Sequence, residues 1–190
     1  MASSGADLEE VGVFVMRPKP LPVKLFCGLV GTEDRFAGAL PRMEEEFGPL
    51  DVTTPSVAFD FTDYYRDEMG PDLVRKWVAF SGLKERAYLA LAKHIAVGIE
   101  EALARRGRRT VNIDPGYVDE AQVVLSTGKN FAHRIYIGRG YYAEPALVYV
   151  KGRFRPLEWT YPDYETKVAL KFFESVRDSY HHELRRSSEG

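Results

Sequence analysis

The feature that most constrains the fold is an apolar stripe with helical spacing in the middle of the chain. Its members are Tyr88, Leu91, Ala92, Ile95, Ile99, Ala102 and Leu103. Positions three or four apart lie on one face of a helix, so the stripe predicts a helix that begins at Ser81 or Lys84. Arg105 and Arg106 suit the negative end of that helix, and Gly107 ends it. A helix with one continuous apolar face must bury that face against a second layer, which the flanking segments have to supply.

Short apolar or alternating runs on both sides of this helix predict strands. They cover residues 23–30, 57–61, 73–80, 110–113, 131–137 and 141–150. Asp114-Pro115-Gly116 predicts a type II turn that ends the fourth run, and Gly138-Arg139-Gly140 predicts a hairpin between the last two. Residues 118–127 fit either a helix or a strand. Two more helices are predicted, near residues 33–47, where Pro41 should kink or shorten the helix, and near residues 166–180.

The order strand, helix, strand, strand, helix, strand is that of a ferredoxin-like fold. We therefore predict a single-domain α+β sandwich with a ferredoxin-like βαββαβ core, an added β-hairpin and a C-terminal helix. A chain of 190 residues with 45% hydrophobic residues has the size and composition of one globular domain. Residues 21–182 would form this domain, between a flexible tail of residues 1–20 and a frayed tail of residues 183–190.

The charge balance and the single cysteine bear on location and partners. The 26 Lys and Arg residues are offset by 28 Asp and Glu residues, and the formal charge of -2 argues against nucleic acid or an anionic membrane as a partner. Cys27 is the only cysteine and lies in an apolar run, which indicates a buried thiol in a reducing compartment. No run approaches the ~20 apolar residues that span a bilayer, and acidic residues precede the first apolar run, unlike in a signal peptide. These features predict a cytoplasmic protein with no membrane contact.

Four short segments are richer in polar and aromatic residues than a plain scaffold requires. They are residues 60–65, 112–117, 129–134 and 159–164. Residues 59–65, 112–117, 131–136 and 159–164, which overlap them, resemble the signature strings of the bacterial and archaeal family called domain of unknown function 4416. The resemblance extends from about residue 22 to about residue 180. It implies membership of the family, but it carries no activity, cofactor or catalytic residue over to this chain.

The predicted hairpin places residues of the third segment opposite those of the next strand. With a three-residue loop, Tyr136 faces Tyr142 and Arg134 faces Glu144, which predicts a cross-strand ion pair. Such a pair is either an ordinary feature of a sheet surface or a device that orients Arg134 to bind a carboxylate or phosphate with two hydrogen bonds. His133 would point to the opposite face with apolar neighbours, as a core histidine does, whereas a bulge would bring it to the same site as Arg134.

The remaining candidates are carboxylates and an aromatic corner. Asp60, together with Asp63 or Glu68, could meet Asp114 and act as acid, base or Mg²⁺ ligand. Alternatively, Asp114 accepts backbone N–H groups in its own turn. Converging carboxylates raise one another's pKa, so Lys129 or a metal ion is their expected partner. Trp159 either stacks on a ligand or packs at a strand-to-helix corner.

These patterns predict a protein that binds or acts on an anionic small molecule, either a phosphorylated metabolite or a nucleotide, in a polar and aromatic pocket. The catalytic candidates are Asp60, Asp114, His133 and Glu144, and the ligand-binding candidates are Lys129, Arg134, Tyr64, Tyr136, Tyr142, Asn112 and Trp159. No metal ligand is assigned, and Mg²⁺ is the only cofactor considered. Two alternatives stay open: a non-catalytic module that binds a protein through exposed aromatic residues, and an RNA-binding protein that uses the basic residues 105–109. Whether the protein is an enzyme also stays open.

Overall fold

One antiparallel sheet with helices on both of its faces makes up the fold. The structure is a computed structural model that describes residues 19–188, so residues 1–18 of the predicted N-terminal tail lie outside the described part. The strands are β1 Val23–Gly31, β2 Leu50–Thr53, β3 Val57–Ala58, β4 Val74–Lys84, β5 Val111–Val118, β6 Gln122–Thr127, β7 Ile135–Gly138, β8 Tyr141–Val150 and β9 Arg153–Pro156. The helices are α1 Glu33–Phe47, α2 Arg66–Met69, α3 Tyr88–Leu103 and α4 Lys167–Ser188, with a 3₁₀ turn at Pro162–Glu165 before α4.

The sheet is larger than the sequence predicts. Its strand order is β2-β4-β1-β5-β6-β8-β7, with β3 beside β4 and β9 beside β8. A mixed α+β fold in a single domain is confirmed. The finer prediction, a ferredoxin-like core with one added hairpin, is not confirmed, because the sheet has nine strands in the described part of the chain. Residues 122–127 are one source of the difference, since they form a strand that pairs with both β5 and β8.

Alternate side chains of the central strands contribute to two separate apolar cores. Cys27 and Leu29 of β1 and Phe80 of β4 point to the face that α1 and α3 cover. Phe26 and Trp77 point to the opposite face, where α4 packs. The cysteine is a fully buried free thiol, as the sequence predicts. The sheet is therefore covered on both sides, and polar side chains that point inward have to find partners within the protein.

Strand β5 corrects the predicted turn at Asp114-Pro115-Gly116. The strand runs straight through these residues and pairs with β1 along its whole length, but it pairs with β6 only from Gly116 to Val118. Pro115 has no N–H to give to a neighbouring strand, so the ladder between β5 and β6 ends there. A Cβ atom on Gly116 would lie 2.4 Å from the Val124 carbonyl oxygen and 2.5 Å from the Phe26 ring. Pro115 thus marks the end of the β5–β6 pairing, and Gly116 allows the close approach of β6 and Phe26. Neither residue forms the predicted turn.

Several element boundaries also differ from the prediction for local reasons. Strand β4 continues to Lys84, where it still pairs with β1, so α3 begins only at Tyr88. Helix α1 continues through Pro41. Pro41 has no N–H to donate to the Ala37 carbonyl, but both residues face solvent, so this unpaired carbonyl is not buried. Helix α4 extends to Ser188, past the predicted end near residue 180. Neither α4 nor any other helix in residues 19–188 is long and apolar enough to cross a membrane.

Two predicted strands are shorter than expected. Of residues 57–61, only Val57–Ala58 pair with a neighbouring strand, and of residues 131–137 only the last three belong to β7. Residues 131–134 instead form a turn, closed by a hydrogen bond of 3.0 Å from the Arg134 N–H to the Phe131 carbonyl. Alternation of side chains between two faces does not apply within such a turn, so it does not determine the direction of the His133 side chain.

We expect Gly116→Ala to be strongly destabilising, because the new methyl group meets a backbone oxygen that cannot move without breaking the β5–β6 pairing. The free energy of unfolding should fall by about 2–4 kcal/mol, as overpacking at a rigid site does. Chemical denaturation measures this. Gly98→Ala on α3 is the matched control, since its Cβ meets nothing within 4 Å and alanine favours a helix by up to about 1 kcal/mol. Equal midpoints for the two variants would contradict the close approach at Gly116.

Candidate functional site

A cavity of about 660 Å³ opens where β5 and β6 part. One wall is the first half of β5 with Asn112 and Asp114, and the opposite wall is the end of β6 with Ser126 and the following Lys129. Helix α3 contributes Lys93, Val97 and Glu100, and residues 59–65 and 161–164 close the remaining sides. The volume lies within the range of ordinary small-molecule pockets, about 300–1,000 Å³.

Side chains rather than a strand satisfy the free edge of β5. The N–H of Ile113 donates to Glu100 Oε1 at 2.6 Å, and its carbonyl accepts from Lys93 Nζ at 2.8 Å. The carbonyl of Pro115 accepts from Ser126 Oγ at 2.6 Å. Buried backbone groups need such partners, and the missing ladder makes charged side chains of α3 the available ones. The parting of the strands therefore both opens the cavity and brings Lys93 and Glu100 to it.

A chain of polar contacts runs along the β5 wall. Asp114 accepts from Lys93 Nζ at 3.0 Å and from Asn112 Nδ2 at 2.6 Å. Asn112 in turn accepts from Arg109 Nη1 at 2.9 Å, and Arg109 donates from two nitrogen atoms to Glu68, at distances down to 2.8 Å. Burial alone would raise the pKa of Asp114, but the nearby charges of Lys93 and Arg75 and the hydrogen bonds from Lys93 and Asn112 together outweigh it and hold that pKa below its ordinary value. Asp114 is therefore ionised at neutral pH.

Glu100 is the exception among the carboxyl groups of this wall. Its Oε2 lies 3.8 Å from Arg109 Nη1, which is too far for a hydrogen bond, and its side chain is only 6% exposed. Burial raises the pKa of Glu100 to about 7, although Lys93 and the Ile113 N–H act in the opposite direction. A buried carboxyl group that titrates near neutrality is able to accept or donate a proton at physiological pH.

The floor of the cavity holds a second buried cation. Arg75 Nη2 lies 2.6 Å from Asp163 Oδ2, and both side chains are 5% exposed. The guanidinium also lies 5.2–5.6 Å from the ring centres of Phe59, Trp77 and Tyr164, a distance at which a cation is attracted to aromatic faces. Gly28 permits this packing, because a Cβ there would lie 3.0–3.1 Å from Tyr164 Oη and Arg75 Nη1.

The hairpin side of the cavity is organised by Glu144. This carboxylate is 3% exposed and accepts from Arg134 Nε at 2.9 Å, while His133 Nε2 lies 2.5 Å from its Oε2. The predicted ion pair of Arg134 with Glu144 and the pairing of Tyr136 with Tyr142 are confirmed. The predicted three-residue loop is wrong, because a bulge lets Gly138 pair with Tyr141 and leaves two residues in the loop. The prediction that His133 faces apolar core residues is wrong, because it lies in the turn of residues 131–134.

The surroundings of His133 and Arg134 tie this wall to residues 159–161. The ring of His133 stacks on Trp159 with centres 4.6 Å apart, and Trp159 Nε1 donates to the Pro145 carbonyl. Arg134 Nη2 donates to Tyr161 Oη at 3.0 Å. Both basic side chains are thus held by neighbours behind the cavity wall and orient Glu144 rather than line the cavity themselves.

Lys129 stands at the mouth of the cavity. Its Nζ donates to Tyr64 Oη at 3.1 Å and lies 4.2 Å from the centre of the Tyr64 ring. The ammonium group lowers the pKa of Tyr64 through that hydrogen bond. Within residues 19–188, no carboxylate lies within 4 Å of Lys129 Nζ, whereas Arg75 and Lys93 each have one and Arg109 has two. Lys129 is therefore a cation of the cavity without an acidic partner in the described residues.

The predicted site residues fall into three groups by position. Tyr64, Asn112, Asp114, Lys129 and Glu144 line the cavity. His133, Arg134 and Trp159 lie behind its wall, in contact with Glu144 or with each other. Asp60, Tyr136 and Tyr142 are not among the lining residues. The roles assigned to all of them stay predictions.

The expected meeting of Asp60, Asp63 or Glu68 with Asp114 does not occur. Asp63 pairs with Arg66 and Glu68 with Arg109, while Asp114 pairs with Lys93. In the described part of the chain, no three His, Cys, Asp or Glu side chains are placed to hold one metal ion together. The cations that Glu68 and Asp114 meet belong to other elements, which the sequence does not place, whereas Arg66 is a local partner three residues after Asp63.

The sequence does not indicate several lining residues, among them five charged ones: Arg75, Lys93, Glu100, Arg109 and Asp163. A signal for two of them exists, since Lys93, Val97 and Glu100 are four and three positions apart and share one face of α3 outside the apolar stripe. Arg75 gives a weaker signal as a charged residue within an apolar strand. Arg109 is one of the basic residues 105–109, which the sequence suggests only for RNA binding.

The basic residues 105–109 lie beyond α3 rather than in its last turn. Helix α3 ends at Leu103, and Arg105–Arg108 form a tight turn with Arg106 and Gly107 at positive φ. Arg105 and Arg108 line a small groove together with Thr32, Arg35, Glu68, Met69, Arg109 and Thr110, and no aromatic side chain is among these lining residues. The alternative of an RNA site at residues 105–109 stays a prediction.

We expect ionisation of Glu100 to lower the stability of the protein as pH rises from about 5 to 8, and we expect Glu100→Gln to remove this contribution. Unfolded Glu100 loses its proton near its ordinary pKa, but the folded residue keeps it until the pKa of about 7. The unfolded state therefore binds fewer protons in this window, and ionisation costs the folded state roughly 2–3 kcal/mol above it. The side-chain oxygen of the introduced glutamine can still accept the Ile113 N–H. Urea unfolding at pH 5 and pH 8 measures the difference.

Glu101→Gln is the control for this titration, because Glu101 is the exposed neighbour on the same helix. Its unfolding free energy should follow that of the wild-type protein at both pH values. A Glu100→Gln variant whose stability changes with pH in parallel with the wild type would show that the carboxyl group does not titrate in this window.

Comparison with known proteins identifies the family but adds no activity. No curated protein and no solved structure matches the chain. A family model described as Domain of unknown function (DUF4416) matches residues 21–180, which include every strand and helix described above except the last part of α4. The chain therefore belongs to the DUF4416 family.

Proposed function

We propose that the cavity between β5 and β6 binds, or acts on, an anionic small molecule such as a phosphorylated metabolite or a nucleotide. The observation that carries the proposal is the position of Lys129. Its ammonium group lies at the mouth of the cavity, over the ring of Tyr64, with no carboxylate within 4 Å in the described residues. A cation held in this way is available to a carboxylate, sulfate or phosphate group of a ligand.

The aromatic lining supports a ligand that also has a flat ring. Phe59, Phe61, Tyr64, Tyr65 and Tyr161 stand around the cavity, and three of them are exposed by 42–58%. Exposed aromatic faces next to a cation offer stacking to a base or sugar and electrostatic attraction to its anionic group. Behind them, Asp114 and Glu144 are held rigidly by charged partners, which favours a single orientation of a bound polar group.

A thermal-shift panel of nucleotides, phosphorylated metabolites, carboxylates and divalent metal ions tests the proposal. A ligand at 100 times its dissociation constant adds about 2.7 kcal/mol, which raises the melting temperature of a chain of this size by roughly 5–10 °C. We expect at least one anionic compound to give such a shift, and Lys129→Ala to remove most of it because the variant loses the ammonium group at the cavity mouth.

Lys171→Ala is the matched control, since Lys171 is an exposed lysine on the outer surface of α4. This variant should keep the full shift, which separates the local effect of Lys129 from the loss of one positive charge. If every shift persists in Lys129→Ala, the ligand does not bind through this cation and the cavity mouth is the wrong place. A panel in which no anionic compound shifts the wild-type protein contradicts the proposal for the classes tested.

A second candidate, a module that binds a protein, is favoured by the outer surface of the hairpin. Phe131 and Ile135 are 63% and 70% exposed, and β7 is an edge strand of the sheet in the described residues. Exposed apolar side chains beside an unpaired strand edge suit strand addition by a second chain. If a second copy of the chain binds here, sedimentation at increasing concentration will show dimers, and Ile135→Lys will abolish them. Monomers at all concentrations would remove self-association from consideration.

Two finer expectations from the sequence are retained as proposals. We propose that β1, α1, β2, β4, α3 and β5 form a ferredoxin-like unit; their antiparallel strand order β2-β4-β1-β5 and the position of α1 and α3 on one face support this. We also propose a cytoplasmic location, supported by the single cysteine, Cys27, which is a buried thiol.

A further inference from the structure

We propose that Glu100 determines which ligand charge the cavity accepts, so that binding of an anion is coupled to uptake of one proton by Glu100. This inference rests on the proposed function, because it concerns the same cavity. It adds a specificity-determining residue that lies deep in the site, away from Lys129 at the mouth. It also makes the affinity for an anion depend on pH in a way that a cation at the mouth alone would not.

The pairing of charges around the cavity is the first argument. Four carboxylates are each joined to a basic side chain: Asp163 to Arg75 at 2.6 Å, Asp114 to Lys93 at 3.0 Å, Glu68 to Arg109 at 2.8 Å, and Glu144 to Arg134 at 2.9 Å. Two charged groups are left over in the described residues: Lys129, with no carboxylate within 4 Å, and Glu100, whose Oε2 lies 3.8 Å from Arg109 Nη1, a nitrogen that donates to Asn112 instead. The paired charges cancel, and the net charge that a ligand meets depends on these two groups.

The position of Glu100 is the second argument. It lines the cavity, and one of its oxygen atoms is occupied by the Ile113 N–H, which leaves Oε2 as the atom free to face a ligand. When Glu100 is ionised, its negative charge offsets the positive charge of Lys129, and an incoming anion meets a neutral cavity. When Glu100 is protonated, the cavity has an excess of one positive charge, and the carboxyl O–H becomes a donor to the anion.

The other charged or titratable groups that face Glu100 do not account for the proposed pH dependence. Lys93 on the same helix and Asp114 on β5 are bonded to each other, and Arg109 before β5 is bonded to Glu68 of α2. From β1, the buried thiol of Cys27 faces this region, and burial raises its pKa well above the ordinary value, so it stays neutral. Burial raises the pKa of Glu100 to about 7, which places its titration in the physiological range.

The sign of the coupling follows from linkage. An anion bound beside Glu100 favours the protonated carboxyl group and raises its pKa further, so the complex binds more protons than the free protein. Affinity for an anion of constant charge must then increase as pH falls through about 7. The glutamine variant resembles the protonated form at every pH and should bind the same anion without this dependence.

Phenyl sulfate is a suitable probe, because it combines an aromatic ring with a group whose single negative charge does not titrate between pH 5.5 and 8.5. We expect the wild-type protein to bind it at least about tenfold more tightly at pH 5.5 than at pH 8.5, since a unit charge within several ångströms changes affinity by this factor or more. Glu100→Gln should show a much smaller change and should bind at pH 8.5 about as tightly as the wild type at pH 5.5. Phenol, which stays neutral in this range, is the control and should show no dependence on residue 100.

The outcomes separate this inference from the proposed function. Equal pH dependence in the wild type and in Glu100→Gln, with binding lost in Lys129→Ala, overturns the role of Glu100 and leaves the anion site intact. Binding that depends on Glu100 but not on Lys129 supports the inference and overturns the role of Lys129. No binding of phenyl sulfate at pH 5.5 contradicts both.

A second measurement covers the case in which Glu100→Gln fails to fold. Titration calorimetry of the wild-type protein at pH 7 in two buffers of different ionisation enthalpy counts the protons taken up when the probe binds. We expect about half a proton per bound molecule, because a group with a pKa near 7 is half protonated before binding. A value of zero, or release of protons, overturns the coupling.

Discussion

The early end of the β5–β6 ladder is the constraint on which the site depends. Pro115 has no N–H with which to continue the pairing, and Gly116 lets β6 and the Phe26 ring approach just beyond it. The edge of β5 that is left open needs hydrogen-bond partners inside the protein, and Lys93 and Glu100 of α3 provide them. One change in strand pairing thus produces a cavity, determines which helix lines it and brings two charged groups to its interior.

Burying so many charges would be unfavourable if they were not matched in pairs. Removing an ion from water costs several kcal/mol, and a buried pair recovers this only with good geometry and with its remaining hydrogen bonds satisfied. Asp114 and Glu144 fulfil this condition from opposite walls, each with two polar side chains bound to it. The matched pairs make a rigid and nearly neutral lining. Glu100 and Lys129 differ because, in the described residues, Lys129 has no carboxylate within 4 Å and the ion pair of Glu100 with Arg109 is as long as 3.8 Å. A chemical role at this site therefore concentrates on them.

Local patterns in the sequence predict much of the secondary structure and little of the site. The central strands, the three long helices and the Arg134–Glu144 pair follow from apolar periodicity and hairpin geometry. Asp114-Pro115-Gly116 misleads, because its turn propensity is overridden by pairing with β1, an interaction with a segment almost ninety residues earlier. His133 misleads because a turn replaces the first half of the predicted strand. Lys93 and Glu100 are found only once it is known which strand edge faces α3, and that is a property of the sheet order rather than of any short segment.

The helix that lies against the open edge of β5 has a protective consequence as well. An unpaired strand edge is a template on which another chain can add a strand, and natural proteins guard such edges against aggregation. Here the edge lies in the middle of a sheet, next to a water-accessible opening, where a longer flanking strand would fill the space. The side chains of α3 occupy the donor and the acceptor of Ile113 without occupying the opening itself. The protein can therefore keep a gap in its sheet wide enough for a small molecule, while the N–H and carbonyl groups of Ile113 at that gap are already bonded and do not pair with a strand of another chain.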